Sequence, residues 1–282
     1  MFNNIKSINK RGNKINEDFI GITSNSIFVI DGASGLNNTN ISDYESDAKW
    51  FSNTLGYRLN YVIDDISKDI KDILYETIEI LYKEYVSFNV TSKNENDGPS
   101  AAISIFRIKD DVLEYFQLGD CTSLIKFYNG QLRILHDDSV TELDSKVVCK
   151  MVILSKEYKI PLKKTMDLVK EELILNRSKK NTEQGYWILD ISGVGIEHAY
   201  YESFFIKDIR SVAMMSDGFA DIHSTFEIYK NFDTLNTAME QENIDLLVKR
   251  LFYMQETDLD MNKYPRLKFR DDTSAIWANV CK

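Results

Sequence analysis

The 282-residue chain has only three prolines, twelve glycines, three cysteines and three histidines. No Pro-rich linker, low-complexity tract or internal repeat divides it, so one domain over residues 1–282 is expected. Cys121, Cys149 and Cys281 are odd in number, far apart and without CxxC spacing. That excludes a disulfide framework and a thiolate zinc site, and free thiols suit a reducing cytoplasm. His136, His198 and His223 are too few for histidine-rich metal chemistry. No run approaches the ~20 apolar residues a membrane span needs, and Met1-Phe2-Asn3-Asn4-Ile5-Lys6 lacks a signal-peptide core. Membrane partners are therefore not expected, and a cytoplasmic location is. Positive charge is short too. The net charge is −10 with no Lys/Arg stripe, which argues against nucleic acid as a partner. Scarce Gly and Pro beside abundant Asn, Lys and Ile suggest an AT-rich coding genome.

What is present is an ordinary globular balance, 43% hydrophobic and 28% charged, with enough length for a sizeable core. The informative feature is where the acids fall. Apolar runs repeatedly begin or end on a carboxylate. Asn16-Glu17-Asp18 opens the run from Phe19, and the run from Ile27 closes on Asp31-Gly32. Gly119-Asp120 follows Leu118, Ser216-Asp217-Gly218 follows Met215, and Arg270-Asp271-Asp272 precedes Thr273. If the runs are strands of one antiparallel sheet, all five acidic spots can meet at one rim. Such a cluster of hard oxygen donors calls for divalent cations.

Residues 19–30 read as a hairpin turning at Ser24-Asn25-Ser26, which sets Glu17 and Asp18 across from Asp31. Like charges placed so destabilise a strand pair and make sense with a cation or a raised pKa. Three- and four-residue spacings predict helices over 44–63 and over 66–85, with a polar break at 94–98. A meander follows, 101–108 with 112–118 and 122–128 with 132–135, the last pair turning at Asn129-Gly130. Residues 138–184 are mostly helical in pattern. A hairpin of 200–206 with 211–215, helices to about 254 and a strand over 274–280 complete an α+β order. A sheet sandwich with helices on its outer faces accommodates it.

Each acidic fragment alone is weak: Asp-Gly is most often a turn, Asn-Glu-Asp a cap or loop, and Arg-Asp-Asp a surface ion pair. Their order is specific. Asn16-Glu17-Asp18, Val29-Ile30-Asp31-Gly32-Ala33-Ser34-Gly35, Gly98-Pro99-Ser100-Ala101-Ala102, Leu118-Gly119-Asp120-Cys121, Met215-Ser216-Asp217-Gly218 and Asp271-Asp272-Thr273-Ser274 together resemble the metal-dependent protein phosphatases of type 2C, in bacterial form. The resemblance spans residues 11 to 280. It implies a four-layer α-β-β-α fold, an antiparallel β-sandwich flanked by helix pairs, with two Mn²⁺ or Mg²⁺ ions at one end and a weaker third ion in many members. By the same resemblance, Asp31 bridges the two ions, Glu17 and the Gly32 carbonyl complete one, and Asp217 and Asp271 hold the other. Asp18 holds an outer-shell water, and Asp120 with Asp217 marks the third site. The implied activity is hydrolysis of phosphoserine and phosphothreonine in protein substrates by direct attack of a water bridging the ions.

Three departures stand out. The phosphate-docking arginine of many members falls at Asn13, leaving Arg11 or Lys14 as substitutes; a histidine found after the DG pair is Ala33; and the second glycine of DGxGG is Ser34. They keep two further readings open, a pseudophosphatase used as a binding or regulatory module and a phosphatase of small phosphate esters. Residues 140–186 fall where the family inserts a variable flap, and Arg177 with Lys179 and Lys180 gives that segment either a substrate patch or a solvated helix end. Cys121, with no histidine as base, reads as a structural cysteine rather than a nucleophile.

Overall fold

Alternate residues of the central strands belong to different cores. In β3 (Ser26–Ala33), Phe28 and Ile30 pack to one side and Ile27 and Val29 to the other, and all four are fully buried. Since successive side chains point to opposite faces, a strand apolar on both must be covered on both. The computed structural model describes residues 1–12, 14–33, 44–88 and 98–281, and it shows that covering. Asn13, Ser34 and Gly35, and most of the expected polar break at 94–98, lie outside the described residues.

Two antiparallel sheets stack face to face. One runs β2 (Phe19–Ile22), β3, β4 (Ser100–Lys109), β5 (Val112–Leu118) and β9 (Tyr200–Phe205), with the short β8 (Leu189–Asp190) pairing to the start of β4. The other runs β1 (Phe2–Lys10), β11 (Thr273–Val280), β10 (Ile209–Met215), β6 (Thr122–Phe127) and β7 (Leu132–Leu135). Ile27 and Val29 meet Ile125, Val212, Met214 and Ile276 between the sheets. The outer face of the first sheet packs on α1 (Asp47–Val62) and α2 (Ile70–Ser87), through Trp50, Phe51, Leu55, Leu74 and Leu81. The outer face of the second sends Ala213, Met215, Ala275 and Trp277 against α5 (Asp217–Ser224), α6 (Phe232–Gln241) and α7 (Ile244–Glu256). This is the expected α-β-β-α arrangement.

The fourth cluster is separate. α3 (Ser139–Tyr158), a 3₁₀ turn over Leu162–Leu168 and α4 (Lys170–Arg177) fill the 140–186 segment. Val147, Met151, Leu162 and Val169 pack there with Met261, Leu267 and Phe269 of the loop before β11.

Several sequence expectations are corrected. The acids gather at the end of two stacked sheets, because β10 and β11 belong to one and β2 to β5 to the other. The 101–135 meander splits between the sheets, with β5 in one and β6 in the other. Residues 200–206 and 211–215 form no hairpin; β9 pairs with β5, β10 pairs with β6 and β11, and a 3₁₀ turn at Ile206–Asp208 crosses between them. In a strand buried on both sides, apolar pattern does not say which neighbour it pairs with. β1 escaped the sequence reading because Asn3, Asn4, Lys6, Asn9 and Lys10 break its apolar pattern, as suits an edge strand. The second helix starts at Ile70, and Ile66 is exposed before it.

Candidate active site

Asp31 lies inside β3, paired with Ala102, because the strand continues to Ala33 beyond the apolar run that closes on Asp31-Gly32. Asp18 stands just before β2, whose first residue Phe19 pairs with Ile30, so the two acids occupy the same strand end. Asp217 opens α5 directly after β10, and Asp271 and Asp272 precede β11 at the end where Met215 pairs with Ala275. Asp120 sits in the link between β5 and β6. The Asp217 backbone N–H donates to Asp31 Oδ2 at 3.4 Å, which ties the acid of one sheet to the helix that follows a strand of the other. That N–H belongs to a helix N-terminus, where unpaired amides favour a carboxylate.

A residue that sequence reasoning passed over sets this geometry. Asp272 is buried, and its Oδ2 accepts the Glu17 N–H at 2.8 Å while Oδ1 accepts the Gly12 N–H at 2.8 Å. It clamps the loop that carries Glu17. The Glu17 side chain accepts from Ser46 Oγ, and the same hydroxyl caps α1 by accepting the Lys49 N–H at 3.1 Å. Asn16 Oδ1 accepts the Asp18 N–H at 3.1 Å, and Asn9 donates to the Asp18 carbonyl at 3.2 Å. The glycines of the two Asp-Gly pairs permit close approach rather than a turn. A Cβ on Gly32 would stand 2.4 Å from the Glu17 carbonyl oxygen, and one on Gly218 would stand 2.0 Å from that of Asp272.

Burial, and after it the crowding of like charge, raises the acids. Burial, then the carboxylates of Asp217, Asp18, Asp120 and Asp271, push Asp31 well above the ordinary range. Asp18 is raised by burial and then by Asp272, Asp271 and Asp217. Asp217 rises to about 7, first through desolvation by the protein around its solvent-touched carboxyl, then through Asp271 and Asp120. Asp120 rises to about 6 through burial and then Asp144, with Arg177 opposing. Asp18 Oδ2 is buried with no hydrogen-bond partner. An unpartnered Asp18 oxygen among mutually repelling carboxylates at a strand end fits hard divalent cations. Among the described residues, however, no three His, Cys, Asp or Glu side chains converge on one point as a ready cage.

The cations beside the acids differ from those expected. Arg11 is exposed and donates to the Lys14 carbonyl at 3.2 Å; among the described residues no contact joins Arg11 or the exposed Lys14 to the acids. Lys268, which the sequence reading missed, places Nζ 2.5 Å from Asp271 Oδ2. Its only sequence signal was its place three residues before Asp271. Arg177 interacts with Asp120, Asp144 and Tyr186 from the end of α4. Cys121 is fully buried, and burial followed by the nearby acids pushes its thiol well up, which suits the structural reading.

The raised acids carry a stability consequence. Between the unfolded carboxylate range near ~4 and the folded values, the native state binds more protons than the unfolded state. Stability conferred below that window is lost as pH rises through it, to about 7 for Asp217 and about 6 for Asp120. Chelator-treated protein is therefore expected to melt lower at pH 8 than at pH 5. Asp217→Asn should raise the melting temperature at pH 8 by at least ~2 °C, allowing for solvent screening at that exposed residue. A melting temperature that stays flat or climbs with pH in both proteins contradicts the assignment.

No family model matches the chain, and no curated protein sequence does. Solved structures match over nearly its whole length. The serine/threonine phosphatase PstP/Ppp of Mycobacterium tuberculosis aligns with 100% of each chain at TM-score 0.58 and 13% identity. Stp1 of Staphylococcus aureus aligns with 100% of this chain and 96% of its own at TM-score 0.53 and 12% identity. The catalytic domain of PstP in complex with two manganese ions aligns with 99% of this chain and 98% of its own, at TM-score 0.54 and 14% identity. The fold is thus that of the type 2C serine/threonine phosphatases, and the particular structures it resembles are bacterial ones.

Proposed function

We propose that the chain is a Mn²⁺- or Mg²⁺-dependent serine/threonine protein phosphatase acting on phosphoprotein in the cytoplasm. The observation that carries this reading is the Asp31–Asp217 contact, which brings carboxylates of both sheets to one end. Two divalent cations there would acidify water into a nucleophile and neutralise the phosphoryl oxygens during displacement. Asp31 lies between the groups of the two sheets and suits a shared ligand. Glu17 and the Gly32 carbonyl would complete one position, Asp217 and Asp271 the other, with Asp120 beside them for a third ion. Asp18, buried and close to Ser274, would hold water in register, and Asp272 would hold Glu17 through its backbone. Residues 1–282 act as one domain in this reading, with 140–186 as the flap beside the site.

The test is hydrolysis of p-nitrophenyl phosphate and of a phosphothreonine peptide with added Mn²⁺ or Mg²⁺. Turnover that a chelator stops supports the reading, and an inert protein across a wide range of both ions overturns it. Preference for the small ester over the peptide would shift the substrate class. The absence of a preformed three-ligand cage among the described residues favours one alternative, a binding module on the same fold. Melting temperature against Mn²⁺ concentration separates the two, because a bound ion stabilises the folded state by mass action and a module without ions gains nothing.

A further inference from the structure

The loop of residues 257–272, between α7 and β11, carries cations at alternate positions: Arg266, Lys268 and Arg270. Two of them brace the loop. Buried Arg266 donates from Nη1 to Asp258 Oδ2 at 2.9 Å and to the Tyr264 carbonyl at 2.7 Å, and from Nε to the Phe269 carbonyl at 3.1 Å. The Asp258 carboxylate also accepts the N–H groups of Lys263 and Tyr264 at 3.2 and 3.0 Å. Arg270 donates to Gln255 Oε1 at 2.9 Å and Glu256 Oε1 at 2.8 Å, and its guanidinium lies 4.1 Å from the Phe252 ring centre. Leu267 and Phe269 are packed into the small core beneath α3.

Lys268 is left pointing outward from this braced loop. Its side chain is 56% exposed, with Nζ on Asp271 at the edge of the carboxylate centre. An exposed ion pair three residues apart adds little stability, so the pair gives no folding reason for a lysine here. A phosphomonoester dianion nearing a chain of net charge −10 meets repulsion that a cation at the mouth offsets. Arg11 turns to its own loop carbonyl.

We propose that Lys268 recognises the phosphoryl group, its ammonium passing from Asp271 Oδ2 to a phosphate oxygen when substrate binds. An ammonium on a flexible stem donates as a point charge from three rotatable N–H bonds, so it needs no fixed fork geometry to meet a tetrahedral anion. This rests on the phosphatase reading, and the test keeps the two apart by measuring inorganic phosphate binding without turnover.

Orthophosphate is titrated calorimetrically into Mn²⁺-loaded wild type, Lys268→Met, Lys268→Arg and Lys263→Met, with Mn²⁺ affinity and steady-state kinetics measured on each. Lys268→Met is expected to weaken orthophosphate binding by roughly tenfold or more, the worth of one charge-assisted hydrogen bond. The kinetic loss should fall mainly in KM, Mn²⁺ affinity should hold or improve, and Lys268→Arg should recover most of the binding. Lys263→Met, which removes a charge from the same loop, should bind orthophosphate as wild type does. Unchanged orthophosphate binding in Lys268→Met, an equal loss in Lys263→Met, or a wild type that binds no orthophosphate overturns the assignment. A wild type that binds orthophosphate through Lys268 yet hydrolyses no ester upholds the assignment and removes the phosphatase reading instead.

Discussion

Asp31→Asn is expected to lower kcat/KM for phosphomonoesters by at least ~10³-fold, since several kcal/mol of charge stabilisation at ~1.4 kcal/mol per tenfold would be lost. The side chain keeps its shape, and an amide oxygen can still accept the Asp217 N–H, so the strand end should survive. What is lost is the negative charge shared between the groups of the two sheets. Two further results should accompany the loss. Mn²⁺ should no longer raise the melting temperature as it does in wild type. The chelator-treated variant should melt no lower than chelated wild type, because Asp31 ionises against Asp217, Asp18, Asp120 and Asp271. That combination, dead but folded, separates a ligand from a structural residue. Activity within tenfold of wild type would remove Asp31 from the centre.

Arg107→Met is expected to cost the most stability, ~3–5 kcal/mol, the usual penalty for stranding one partner of a buried ion pair. Arg107 is fully buried in β4 and donates to Glu114 Oε2 at 2.6 Å, to the carbonyls of Ile63 and Asp65 at 3.2 and 3.3 Å, and to that of Lys68 at 3.0 Å. It therefore ties the first sheet to the end of α1 and to the turn into α2. Methionine fills much of the volume but, among the described residues, leaves the Glu114 charge with only the Tyr201 Oη hydrogen bond, and it strands the carbonyls. Denaturant unfolding of Arg107→Met and of Arg107→Met/Glu114→Gln measures it. The double variant should recover part of the loss, because the uncompensated charge is gone. A single-variant loss under ~1 kcal/mol would mean the pair is not buried in solution.

The two residues were not equally visible in the sequence. Asp31 was legible because an acid and a glycine end a run of β-branched and aromatic residues, and the motif recurs at Asp217-Gly218. Arg107 was not, since a charged residue inside an apolar run gives no sign of its partner until β4 and β5 pair Arg107 with Glu114. Asp272 was read only as part of an acidic pair; its clamp on Glu17 spans 255 positions and exists only in the folded chain. Arg11 and Lys14 looked suited to phosphate because they stand close to Glu17 and Asp18 in sequence. Lys268, near the other end of the chain, is the cation the fold brings to Asp271.

By itself the amino-acid order determined most of the strand and helix runs and set the acids at or near the ends of strands. Those follow from local rules, periodicity of two or 3.6 and the chemistry of each side chain. Only tertiary structure decided that the acids meet where two sheets stack, that β9 and β10 part into different sheets, and which lysine faces the carboxylates. The reason is physical: strands apolar on both faces can pair with any of several neighbours, and the choice is made by burying the whole set at once.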